Sequence, residues 1–152
     1  MRDLNKPLSD LRSFVAQAEK ENREVSSVNV GWHIEHSLLV IVRMTDALSR
    51  SDPKEYRWSF NLLRTILFMR NRFPRGKGKA PEEVKPKQLE PVDYDTLFHK
   101  AEMAIERLRA AQPDQYFKHA MFGNLNRENT STLLDIHTRH HLMIIKDIVR
   151  KS

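Results

Sequence analysis

Apolar residues recur along this chain at helical spacing rather than in alternation. Leu8, Leu11, Val15 and Ala18 mark a first amphipathic helix over about 8–22, with Pro7 suited to its first turn. A second helix is predicted over about 28–48, capped by Ser26 or Ser27. A third starts at "SDPKEY", where Ser51 or Asp52 caps and Pro53 takes the first position, and runs to about 70. The fourth covers about 94–111, with Leu97, Ala101, Ile105 and Leu108 turned inward. The last starts from a cap at Asn126 and continues to about 150. No stretch alternates as a half-buried strand would. Between the third and fourth helices, "FPRGKGKAPEEVKPKQLEPVD" holds four prolines and two glycines and reads as a long loop. The pattern predicts an all-α bundle, a single domain over 1–152.

One helix breaks the apolar pattern. "TLLDIHTRHHLMIIKDIV" places His137, His140 and His141 among aliphatic residues. With His137 set at zero on a helical wheel, His141 falls at about 40°, Ile144 at about 340° and Ile148 at about 20°. Asp135, Arg139, Lys146 and Arg150 lie opposite, between about 160° and 220°. His137 and His141 therefore share the core-facing stripe, and His140, at about 300°, stands on its flank. In "SSVNVGWHIEHSLLVIVRMTDAL" the same exercise puts Ser37, Val40, Met44 and Ala47 within about 40° of His33. His36 falls on the flank, so His33 is the expected inward histidine of the second helix. Glu35 and Asp46 point away.

Burying an unpaired imidazole nitrogen costs about 1–3 kcal/mol, so three inward histidines require partners. His137 and His141 are at i and i+4, where two imidazoles on one helix can share one metal. A third from a facing helix completes a three-nitrogen face. That face suits zinc or nickel, or iron, and leaves coordination positions for water or substrate. His36, His119 and His140 are candidates for supporting or proton-transfer roles. Trp32, Trp58 and Phe122 read as packing residues.

Composition narrows the chemistry further. The chain has no cysteine, which excludes disulfides, thiolate nucleophiles and Cys-ligated metal. "MRDLNKPLSDLRSF" lacks the apolar core of a signal peptide, and "LLVIV" is too short to span a bilayer. A cytoplasmic protein without membrane association is expected. The net charge of +6 is concentrated: Arg70, Arg72, Arg75, Lys77 and Lys79 lie in one stretch without an acid. Such a stretch attracts anions, nucleic acid among them. No nucleic-acid recognition motif accompanies it and aromatic residues are sparse, so a nucleic-acid partner is not expected.

The same histidine segments carry a family likeness. "HTRHHLMII" resembles the last-helix motif of the DinB-like (YfiT-like) superfamily, which often reads H-x-x-H-H-R-G-Q. "SSVNVGWHIEH" resembles its second-helix motif, in which a Ser or Thr precedes the first metal-binding His by seven residues; Ser26 and His33 have that spacing. "HAMFGNLNREN" is similar to a DinB-like subgroup. The resemblance implies a four-helix bundle, often a homodimer, that holds a divalent metal through three histidines, here His33, His137 and His141. It also implies thiol-dependent transfer or isomerisation of a small-molecule substrate, with bacillithiol, mycothiol or glutathione as cofactor. Leu142, Met143 and Ile144 replace R-G-Q, and the third helix and basic loop are additions to the four-helix core. The expected function is therefore that of a metal-dependent transferase or hydrolase. The alternative is a non-catalytic metal-binding or structural bundle, and a more distant one is a nucleic-acid-binding protein acting through the basic segment 70–79.

Overall fold

Buried apolar side chains draw four of the helices around one core. The computed structural model describes residues 1–74, 84–86 and 92–151. Its helices are α1 (Asn5–Arg12), α2 (Val30–Ser49), α3 (Leu62–Arg70), α4 (Tyr94–Ala110) and α5 (Arg127–Lys151). Leu11, Ile34, Leu38, Ile41, Phe98, Ile105, Leu134 and Ile145 are sealed from solvent between α1, α2, α4 and α5. No helix among the described residues is long and apolar enough to cross a membrane.

Side-chain pairings fix the helix directions. Asn22, just before α2, donates to the carbonyl of Lys151 at the end of α5 (3.0 Å), and further along His33 meets His141 while His36 meets His137. These two helices are antiparallel. Tyr94, at the start of α4, reaches Gly31, and Arg107 near its end pairs with Asp46 (2.9 Å), so α4 runs parallel to α2. The chain's amino group pairs with Glu128 (2.8 Å) at the start of α5, while Asp10 and Lys146 share one cleft further on, so α1 runs with α5. Parallel neighbours need a long crossover, and residues 50–93, with α3 inside them, supply it.

Several sequence expectations need correction. The first helix ends at Arg12 and gives way to a 3-10 turn, Val15–Gln17. Asn29, rather than Ser26 or Ser27, caps α2, accepting from the Trp32 N–H (2.9 Å). The third helix is broken. Asp52 and Pro53 open only a 3-10 turn, Pro53–Glu55; the chain then leaves helical geometry and restarts at Leu62 behind an Asn61 cap. The intervening strip is bonded sideways instead: Asn124 donates to Arg57 O (3.0 Å) and Asn61 to Met121 O (3.0 Å). Those partners belong to an unexpected antiparallel hairpin, β1 (Tyr116–His119) and β2 (Gly123–Asn126), with Phe117 opposite Leu125. Gly123 has φ +69°, a left-handed conformation that glycine adopts without penalty. The predicted 73–93 loop lies largely outside the described residues. The Asn126 cap is as expected, accepting from the Asn129 N–H (3.0 Å).

Arg64 fastens this side of the molecule. It is 6% exposed, and its guanidinium donates to the carbonyls of Phe122 (3.2 Å), Asn124 (2.8 Å) and Ser59. Arg64→Met would leave those acceptors unsatisfied and is expected to cost about 3 kcal/mol by chemical denaturation. A loss below about 0.5 kcal/mol, the range of a neutral surface substitution, would show that these bonds do not hold the hairpin in place.

Candidate metal centre

Antiparallel packing of α2 on α5 brings two pairs of histidines face to face. The rings of His36 and His137 are 5.1 Å apart, those of His137 and His141 4.5 Å, and those of His36 and His141 4.8 Å. Among the described residues, His36, His137 and His141 each offer a nitrogen such that all three lie within 4.8 Å of one another, close enough to hold one metal ion. His36 and His141 are buried, and His137 keeps a partly exposed edge. Among the described residues no carboxylate joins the group, and the donors they supply are three imidazoles.

The hydrogen bonds around the cluster determine which nitrogens can bind. His36 Nδ1 is 2.7 Å from the Val84 carbonyl. A carbonyl only accepts, so Nδ1 carries the proton and the Nε2 lone pair is left for a ligand. His141 Nδ1 lies 2.9 Å from His33 Nδ1, and His33 Nε2 lies 3.0 Å from Ser26 Oγ. If His141 offers Nε2 to a metal, its Nδ1–H donates to His33, whose own Nε2–H donates to Ser26. His33 then has neither nitrogen left over. Among the described residues His137 Nδ1 is enclosed without a hydrogen-bond partner, an arrangement that costs free energy unless something else satisfies it. This orphaned nitrogen, the three-imidazole donor set and the fixed His36 tautomer all fit a divalent metal of borderline softness.

Electrostatics agree. Burial lowers the pKa of His33 to about 4, with His36 and His140 adding to the effect. Burial also lowers His36, against the opposing pull of the Val84 carbonyl. His137 and His141 are pushed well below the ordinary imidazole range, first by burial and then by neighbouring histidines. All four are neutral at pH 7, the form a metal requires.

Two expected ligands, His137 and His141, therefore fall in the cluster, together with His36. His33 sits behind His141, one hydrogen bond away. The helical wheel favoured His33 over His36, but both are buried (4% exposed each), because α2 is covered on nearly every side. Val30, His33, Ile34, His36, Ser37, Leu38, Val40 and Ile41 are all covered, by α4 on one face and α5 on the other. The seven-residue spacing from Ser26 to His33 corresponds to a hydrogen bond between them. Nothing local in the sequence marks Val84, which reaches His36 from forty-eight residues away.

Aromatic groups frame the cluster. Trp32 stacks on His36 (4.8 Å between centroids, planes 16° apart), so this residue packs against the site itself. Trp58, expected to be a packing residue, is 69% exposed. Phe122 is buried and stacks on His119 (4.7 Å). His119 Nδ1 accepts from the backbone N–H groups of Met121 (3.1 Å) and Phe122 (3.3 Å), which leaves its proton on Nε2. His140 borders His141 (5.3 Å) and Phe73 (5.7 Å). Of the basic stretch, Arg70 and Arg72 are described; Arg75, Lys77 and Lys79 lie outside the described residues.

Comparison with known proteins adds one assignment. No curated protein and no solved structure matches this chain. Residues 60–147, from the Asn61 cap through the α5 histidines, match the family described as "Protein of unknown function (DUF1569)". That match covers more than half of the sequence, and the chain belongs to the DUF1569 family.

Proposed function

We propose that this protein is a divalent-metal enzyme of DinB-like type, in which His36, His137 and His141 hold zinc, nickel or iron. The observation that carries the reading is the buried three-imidazole group, with His36 and His141 braced from behind and His137 Nδ1 without a partner among the described residues. The DinB-like reading rests on the helical bundle and on the histidines of the second and last helices. Once bound, the metal would act as a Lewis acid that lowers the pKa of a coordinated water or thiol.

The chain's own residues supply the rest of the chemistry. Val84 O and the Ser26–His33 pair orient two imidazoles, and Trp32 covers His36 against solvent. The absence of cysteine means that any reacting thiol comes from a low-molecular-weight cofactor. The reading is accordingly a metal-dependent thiol S-transferase or related enzyme acting on a small molecule, and working as a homodimer.

The test is to strip purified protein with a chelator and reload it separately with zinc, nickel and ferrous iron. One equivalent per chain is expected from at least one metal, followed by metal-dependent transfer of a small thiol to an electrophilic substrate. Failure of every metal to bind refutes the site. Equal activity in the stripped protein refutes the mechanism. A monomer in analytical ultracentrifugation refutes the dimer.

A further inference from the structure

A cleft of about 410 Å³ opens beside the histidine cluster, between the end of α3 and the middle of α5. Arg70 and Arg72 border it from one side, and Arg139, His140 and Lys146 from the other; Asp10 is the acid among its lining residues. The helix end is shaped for this. Asn71 terminates α3 in a left-handed conformation (φ 52°), which turns the chain sharply between the two arginines. Its Oδ1 accepts from Arg139 (2.9 Å), while Asp135 holds the same guanidinium through two bonds (3.0 and 2.8 Å). Arg139 is thus fixed and its charge is balanced. Arg70, Arg72 and Lys146 are exposed, and Asp10 pairs with Lys6 (3.6 Å). Leu142 and Met143 give the cleft an apolar wall.

We propose that this cleft binds the phosphate or carboxylate group of a small-molecule substrate or cofactor. The inference rests on the metal reading, because His140 belongs to the cleft and also borders the ligand His141 at 5.3 Å. An anion seated between Arg72 and Lys146 would bring the remainder of the molecule along the apolar wall to the cluster. Arginine and lysine both suit such a group: the guanidinium pairs with two oxygens and the ammonium acts as a point charge. A short cleft with an apolar side fits a small molecule better than a polynucleotide backbone, which calls for an extended basic track.

The experiment uses the full-length, metal-loaded protein and titrates inorganic phosphate and succinate at low ionic strength by calorimetry. Binding of at least one is expected, and Arg72→Glu with Lys146→Glu should weaken it by about tenfold or more while metal content stays at the wild-type value. Three results would overturn the proposal. Neither anion binds; the double variant binds as well as wild type, which would place the anion on the metal alone; or a single-stranded oligonucleotide binds and the two small anions do not. Loss of metal from wild-type protein would instead count against the metal reading, so the two failures are distinguishable. Arg72→Gln with Lys146→Gln serves as a second variant if the charge reversals impair folding.

Discussion

His141→Ala should lower metal affinity by more than about 100-fold, and His137→Ala should do the same. Removal of a partner that only orients a ligand costs roughly 10–100-fold, so loss of the ligand itself lies beyond that range. His141 contributes twice: it supplies a nitrogen to the cluster and it is the residue that His33 braces. His137 Nδ1 is buried without a partner among the described residues, so its replacement removes an unsatisfied polar atom as well as a ligand. The stripped His137→Ala protein should therefore be close to stripped wild type in stability, despite having lost the metal. Competition titration with a chromophoric chelator gives the affinities, and circular dichroism confirms that the helices remain. Retention of wild-type affinity in either variant would remove that residue from the site.

Acidification should destabilise the metal-free protein strongly. His33, His36, His137 and His141 all have pKa values lowered by burial. An unfolded chain takes up their protons near the ordinary value of about 6.5, while the folded chain resists until much lower pH. Stability is then complete above about pH 6.5 and falls as pH drops toward the folded values. For His33 alone, lowered to about 4, the loss between pH 7.5 and pH 5 is about 2 kcal/mol. The other three add to it. At two to four degrees per kcal/mol for a chain of this size, Tm should fall by at least about 5 °C. Metal should leave over the same interval, because each ligand must remain unprotonated. A thermal scan of stripped protein at the two pH values checks the first claim. A Tm that rises on acidification would mean that these imidazoles are charged in the folded state.

Much of this architecture can be read from residue spacing. The helical repeat placed α2, α4 and α5 within a few residues of their observed positions, and Asn126 marked the start of α5. His137 and His141 stood out in the sequence because they share a stripe with Ile144 and Ile148 opposite charged residues, although in the fold α5 is covered on several sides and even Asp135 is buried. α2 has no such contrast, since α4 and α5 cover it on two sides, and the choice between His33 and His36 depends on which neighbour each ring meets. The break before Asn61 was hidden for a related reason. "YRWSFN" has no strong helix breaker, and its departure from helix is compensated by bonds to a hairpin some sixty residues away. Hairpin strands of four residues are too short to show an alternating pattern, and Gly123 was the one local sign of the turn. Val84 and the Arg70–Asn71–Arg72 turn contribute through tertiary position alone.

A comparison of two neighbouring histidines on α2 tests the centre most directly. Metal content and affinity should be measured for His36→Ala and His33→Ala, each purified and loaded in parallel with wild type. His36→Ala should bind less than about one-tenth of an equivalent at a metal concentration that saturates wild type. His33→Ala should still fill the site, with affinity lowered by about 10–100-fold through loss of the brace on His141. The reverse outcome, with metal lost from His33→Ala and kept by His36→Ala, would contradict the His36, His137 and His141 centre.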